Sequence, residues 1–313
     1  MRTLALKIDV DTLRGTREGV PRLVEALSRR GINATFLFSL GPDHTGRALK
    51  RVFRPGFLKK VSRTSVLEHY GLKTLLYGTL LPGPDIGLRG AAILRQVADA
   101  GFEVGIHCWD HVRWQDGVMQ ADEAWTRREM DLAASRFTRI FGRAPATHGA
   151  AGWQMNVHGL RWLQDQGIRY ASDCRGTAPF LPVLHGEVLP CMQLPTTLPT
   201  LDELIGIDGC TEATVAAQVL ALTEQAPDYG HVFTLHAELE GMKLLPVFEQ
   251  LLDGWMAQGW RLTSMAELAA SLTDQPIARH AFVEGSVPGR SGLLALQGET
   301  HATQPFNMTE IFA

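Results

Sequence analysis

The chain has 313 residues, of which 45% are hydrophobic and 20% charged, with a formal net charge of -3. That composition supports a large buried core and excludes a chain disordered throughout, while the charge gives no global attraction to polyanions, so no nucleic-acid partner is expected. Cys108, Cys174, Cys191 and Cys210 form no CxxC pair, no charged leader precedes a long apolar run, and no stretch approaches the ~20 apolar residues of a membrane span. The expectation is a reduced, cytoplasmic protein whose membrane contact is peripheral.

The first predicted element is the strand "TLALKIDV", followed by "REGVPRLVEALSRRG", where Val20, Leu23, Val24 and Leu27 follow helical spacing up to Gly31. "INATFLFSL" is a β-branched and aromatic run of strand length, and "FEVGIH", "IRYAS" and "HVFTLH" read the same way. Between them lie the helical patterns "AAILRQVADAG", "ADEAWTRREMDLAASRFTRIFG", "HGLRWLQDQG", "ATVAAQVLALTEQA" and "LLPVFEQLLDGWMAQG". Strand and helix alternate, which points to parallel βα units, about seven of them, and so to a distorted (β/α) barrel. No GxGxxG follows the first strand, which speaks against a dinucleotide fold. Two segments break the rhythm. Residues 41–87 form an insertion after the second strand, and residues 276–313 form a Gly-, Ser- and Thr-rich extension with no clear period and a loose last dozen residues. The catalytic unit is therefore placed at residues 1–275.

In a βα barrel the chemistry sits at the carboxyl ends of the strands. Asp9 and Asp11 close the first strand on one side of the chain, since side chains alternate with a period of two. Two like charges so close are tolerated where one is protonated or a cation sits between them. His107 and His111 close another strand in "FEVGIHCWDH", His236 closes a late one, and Asp173 stands at a similar place in "RYASDCRG". Alone, a strand-end His is as readily a hydrogen-bonded core residue, an Asp a turn cap, and a His pair at i, i+4 a chance spacing. Their convergence on one face is what points to chemistry.

These residues, in the order "DVD", H-x-x-x-H, a second-half Asp motif and a late Leu-His, resemble the polysaccharide deacetylase (NodB homology) family of carbohydrate esterases and amidases. Within it, "FSLGPDHTGRALKR", "LLPGPDIG", "EVGIHCWDHVRWQD", "AAGWQMN", "SDCRG", "LPTTLPTLDELIG", "HAELEG" and "GRSGLLALQG" resemble the branch that deformylates undecaprenyl-phosphate-linked 4-deoxy-4-formamido-L-arabinose in lipid A modification. The resemblance implies that Asp11, His107 and His111 bind one divalent ion, that Asp9 is the general base and that His236 is the general acid, oriented by Asp173. Zinc, manganese, cobalt and nickel all suit such ligands. The family's third motif usually supplies an Arg that pairs with the base. The corresponding stretch here, "THGAAGWQ", has none, and Arg175 is the candidate replacement.

Such a set suits amide hydrolysis. A cation held by one carboxylate and two imidazoles polarises a carbonyl and acidifies water, a base takes the water's proton, and an acid protonates the departing amine. Two readings from other classes use the same residues: the facial triad of a non-haem iron oxygenase, disfavoured by the strand–helix alternation, and a glycolipid-binding module without turnover. A deacetylase of another N-acylated sugar is the alternative within hydrolases.

The stretch "RALKRVFRPGFLKKVSR" carries Arg47, Lys50, Arg51, Arg54, Lys59 and Lys60 around Phe57, with no acid until Glu68. It is either a solvated loop or a contact in which basic side chains meet the anionic cytoplasmic face of the inner membrane and apolar ones dip into it. A lipid-linked sugar phosphate as substrate would require the second.

Overall fold

The computed structural model describes residues 2–48, 66–301 and 306–307. Its first half runs β1 (Thr3–Val10), α1 (Val20–Ser28), β2 (Thr35–Ser39), α2 (Val66–Leu76), α3 (Ile86–Asp99), β3 (Glu103–Cys108), α4 (His111–Gly117), α5 (Glu123–Phe141) and α6 (Val157–Asp165). The second half runs β4 (Tyr170–Ala171), β5 (Phe180–Leu184), β6 (Glu187–Val188), β7 (Met192–Gln193), α7 (Leu201–Leu204), α8 (Val215–Leu222), β8 (His231–His236), α9 (Leu245–Ala257), β9 (Arg261–Thr263), α10 (Met265–Ser271), β10 (Pro276–Gly285), β11 (Leu294–Thr300) and β12 (Phe306–Asn307).

The strands β3, β2, β1 and β8 lie side by side in that order, all parallel, and β9 pairs with the start of β1. A parallel strand flanked on both edges and covered on both faces must be apolar along its length. Along β1, Leu4, Leu6, Ile8 and Val10 meet that condition, buried in a core shared with Phe36, Phe38, Phe137, Phe233, Phe248 and Trp255, while the equally buried Lys7 and Asp9 depart from it. The predicted alternation therefore forms a parallel sheet wrapped by helices. Asp85 caps α3 by accepting from Leu88 N, Asp122 caps α5 by accepting from Trp125 N, and Gly142 at φ 69° ends α5 in the left-handed conformation that glycine adopts most freely.

Single bridges complete the ring. Ile106 N donates to Thr147 O (3.2 Å) and Gly149 N to Ile106 O (3.0 Å), which attaches residues 147–149 to β3. Ser172 N donates to His148 O, Leu194 N to Ala171 O, and Thr197 N to Val232 O, carrying the wall through β4 and β7 back to β8. The result is seven strand positions around one barrel, four long and three short. This matches the expected distorted (β/α) barrel. The predicted strand "IRYAS" shrinks to the two residues of β4, because its partners on either side are themselves only bridges.

The extension departs from its reading as a segment without period. β10 and β11 form an antiparallel pair, and β10 joins β5 in parallel register, Ala278 opposite Phe180. Ile277, Leu294 and Ala295 face the interior while the rest of the pair is half-buried or exposed, so the polar, Gly-rich composition hides the alternation. Of the last dozen residues, Phe306 and Asn307 pair with β10, and the rest lie outside the described residues. Among the described residues no helix is long and apolar enough to cross a membrane.

Candidate metal and acid–base site

β1 ends at the mouth of the ring and delivers Asp9 and Asp11 there, both buried. β3 brings His107 through an irregularity. Phe38 pairs with Ile106, but Ser39 pairs with Cys108, so His107 is the extra residue of a β-bulge. A bulge re-aims its side chain, here toward the end of β1. The chain then turns into α4, whose first residue is His111. Asp110 caps this helix by accepting from Arg113 N (3.1 Å) and is itself held by His44 Nδ1 (2.6 Å). The i, i+4 pair thus straddles a strand end and a helix start, with ring centroids 5.4 Å apart.

The geometry converges on one point. His107 Nε2 lies 3.2 Å from Asp11 Oδ1 and His111 Nε2 lies 3.4 Å from Asp11 Oδ2. One ligand atom from each of the three residues falls within 4.8 Å of the others. Donors ~2.1 Å from a common ion at tetrahedral angles stand about 3.4 Å apart, so the two spacings to Asp11 fit a first-row dication. His107 Nδ1 donates to Gly149 O (2.7 Å), which leaves the Nε2 lone pair for the cluster, and buried Asp11 Oδ1 has no hydrogen-bond partner among the described residues. The set Asp11, His107 and His111 therefore fits a divalent cation. Burial opposes ionisation of Asp11, yet the His111 and His107 charges hold its carboxyl well below the usual range. His107 is also pushed up despite burial, by Asp9 and Asp11. Such a site favours positive charge, whether carried by protons or by a metal.

Asp9 and His236 are neighbours in register on β1 and β8. His236 is half-buried, and its Nδ1 has no hydrogen-bond partner among the described residues. Its backbone N–H donates to Glu240 Oε2 (2.8 Å). Glu238 reaches the opposite way, accepting from Asp11 N (3.1 Å), Thr12 N (2.8 Å) and Thr12 Oγ1 (2.7 Å). Both glutamates are fully buried and pushed up by burial, Glu240 to about 8, and the Asp11 charge adds to the rise at Glu238.

Two expected pairings are replaced by others. Asp173 was expected to orient His236, but its Oδ1 sits 2.6 Å from His148 Nδ1 and accepts from Ala150 N, while Oδ2 accepts from Gln193 Nε2. Asp173 lies in the short-strand half of the ring, where residues 147–150 and β7 reach it first. Arg175 was expected beside Asp9, but its Nη1 donates to Glu203 Oε1 (2.5 Å), its Nη2 to Leu198 O and its Nε to Thr196 O. Those acceptors hold the guanidinium over the Trp153 ring, 4.9 Å from its centroid. The cation beside Asp9 is Lys7, with Nζ 3.3 Å from Oδ2.

Arg47 is exposed and donates to Gly78 O (3.0 Å). Lys50, Arg51, Arg54, Phe57, Lys59 and Lys60 lie outside the described residues. Sequence reasoning passed over Lys7, His148, Glu238 and Glu240. A Lys inside an otherwise apolar strand and two acids just past a strand-end His were the available signals.

No protein-family model matches the chain. It is 39% identical over 295 residues to a protein of Shewanella sediminis, covering 94% of each chain, and 32% identical over 284 residues to one of Wigglesworthia glossinidia brevipalpis, covering 90% of this chain and 98% of that one. Both are named "Probable 4-deoxy-4-formamido-L-arabinose-phosphoundecaprenol deformylase ArnD". Among solved structures, one from Mycobacterium smegmatis described as a polysaccharide deacetylase superposes with a TM-score of 0.60 at 16% identity, over 91% of this chain and 96% of that one. This last likeness concerns the fold.

Proposed function

Because the chain belongs to the 4-deoxy-4-formamido-L-arabinose-phosphoundecaprenol deformylase family, on the fold of the polysaccharide deacetylases, we propose that it removes the formyl group from undecaprenyl-phosphate-linked 4-deoxy-4-formamido-L-arabinose. The products are formate and the free 4-amino sugar lipid. A cationic sugar made for lipid A would lower the attraction of cationic peptides such as polymyxin. The observation that carries the reading is the adjacency of Asp9 and His236 beside the Asp11, His107 and His111 cluster.

Asp11, His107 and His111 would hold the divalent ion. When bound, it supplies Lewis acidity toward the formyl oxygen and water. The remaining work falls to the side chains. Asp9, buried beside the cluster, takes the proton from the attacking water. His236, nearer the mouth, gives a proton to the sugar nitrogen as the C–N bond breaks, so that a neutral amine departs. Glu238 fixes the backbone at Asp11, just past β1, and Glu240 fixes it at His236, the last residue of β8.

The lipid substrate calls for contact with an anionic bilayer, where each basic residue of the 47–60 stretch adds ~1 kcal/mol. Leu72 and Leu80 lie close after it in sequence and are 67% and 81% exposed, which supports an apolar edge to that contact. The test of the activity is formate release from the formamido-arabinose lipid by metal-loaded protein, beside an acetamido analogue. Formate from the first and little acetate from the second is expected. No formate overturns the reading, and faster acetate release makes the chain a deacetylase.

A further inference from the structure

One charged group at the site has no part in the chemistry just described. Lys7 stands two residues before Asp9 on β1, in a strand whose other residues between Leu4 and Val10, the site's Asp9 apart, are apolar. It is 0% exposed, and its Nζ makes no hydrogen bond among the described residues. Burying an ammonium is costly unless an opposite charge answers it, and a Leu or Met would fill the same space at less cost. The answering charge is Asp9, with Oδ2 3.3 Å away. The other oxygen, Oδ1, lies 3.7 Å from His107 Nδ1.

The wall is cut to admit this side chain. At Gly149 an added Cβ would come within 2.8 Å of Lys7 Cε and 2.3 Å of Leu37 Cδ1, so the glycine leaves the stem its channel. Trp153 takes a left-handed φ of 53°, uncommon for a bulky residue, and sets its ring 5.2 Å from Lys7 Nζ. Gly149 and Trp153 both belong to the stretch that lacks the family's Arg. That stretch supplies a slot and a ring, and β1 supplies the cation.

We infer that Lys7 is the positioning residue for Asp9: its ammonium engages Oδ2 and leaves Oδ1, buried and without a hydrogen-bond partner among the described residues, turned to the side of His107. This rests on Asp9 acting as the base. Lys7 touches neither the ligand atoms of the metal cluster nor, on this reading, the substrate, so its removal should disturb the direction of Asp9 and spare metal binding.

The experiment uses the full chain as wild type, Lys7→Met, Lys7→Arg, Asp9→Asn and the Lys7→Met/Asp9→Asn double variant. Three readouts are taken: denaturant stability, Co2+ affinity with the visible spectrum of the loaded protein, and kcat and KM for formate release. Lys7→Met should lose at least about 100-fold in kcat with KM and Co2+ affinity within about threefold, and Lys7→Arg should recover a good part of kcat. Asp9→Asn should restore stability in the Met background, because it removes the uncompensated charge. If the double variant folds and Lys7→Met alone does not, the coupling is supported in its strongest form. Additive stabilities, an undiminished kcat in Lys7→Met, loss of Co2+ binding in that variant, or failure of both to fold would each overturn the inference. Should the wild type release no formate, the deformylase reading falls, while the stability cycle and the Co2+ spectrum still decide the role of Lys7.

Discussion

Asp9 and His236 face each other across β1 and β8, with Ala237 N donating to Asp9 O at 2.9 Å. Register partners on parallel strands lie about 4.8 Å apart and point to the same side of the sheet. A carboxylate and an imidazole are thus fixed next to each other by backbone hydrogen bonding alone, the placement that the proposed base and acid need. Asp11 follows Asp9 by one alternation, and the proposed function gives these two carboxylates of one strand end separate tasks.

That separation predicts unlike phenotypes for like substitutions. Asp9→Asn should lower formate turnover by about 10²–10⁴-fold and leave metal stoichiometry after dialysis unchanged. Asp11→Asn should lose the metal itself. Equal metal loss in both variants would mean that Asp9 is a ligand and not the base.

If His236 protonates the departing nitrogen, its removal matters less when the nitrogen leaves readily. His236→Ala should slow release from the formamido sugar by about 100-fold or more, but cost far less with a formanilide bearing electron-withdrawing groups. A loss independent of the leaving group would assign His236 to binding.

Glu240 makes stability depend on pH. Burial pushes its carboxyl up to about 8 from an ordinary 4.5. Between those values the unfolded chain has released a proton that the folded chain keeps, so stability falls as pH rises through this window. The contribution to that fall is on the order of a few kcal/mol. Glu240→Gln should flatten the decline, measured as urea midpoints from about pH 5 to about pH 8. An identical slope in the variant would show that Glu240 is solvated.

Gly15 and Glu238 share one space. A Cβ on residue 15 would stand 1.9 Å from Glu238 Oε1, the atom that accepts from Asp11 N and Thr12. Gly15→Ala should therefore cost about 2–3 kcal/mol and weaken metal binding by about tenfold, because the loop holding Asp11 loses its anchor. Glu238→Gln keeps an acceptor oxygen in place and should do less. Calorimetric titration with Zn2+ distinguishes the two.

Legibility in the sequence followed length and locality. β1, β2, β3 and β8 are long, apolar runs flanked by amphipathic helices, so their period declared them and their polar ends with them. The strand positions around His148, Tyr170 and Met192 are one to three residues of paired backbone, too short to carry a period, and the ring is closed by tertiary hydrogen bonds. Asp173 and Arg175 sit in that half. Their true partners, His148 at 25 residues' separation and Glu203 at 28, depend on where those short pieces dock. Lys7 was hidden for the opposite reason: a strand so apolar reads as core, and core does not suggest a buried cation. The bulge at His107 likewise leaves no trace in composition, although it aims the imidazole at Asp11.

The uneven wall divides the molecule into a rigid side and a yielding side. Asp9, Asp11, His107, His111 and His236 all hang from the long strands and from the start of α4, whereas the arc from residue 170 to residue 197 is stitched by short pairings. Breathing of that arc would widen the bowl without moving the strand ends that carry Asp9, Asp11 and His236. Amide hydrogens at Ser172 and Leu194 would exchange in deuterated solvent before those of β1.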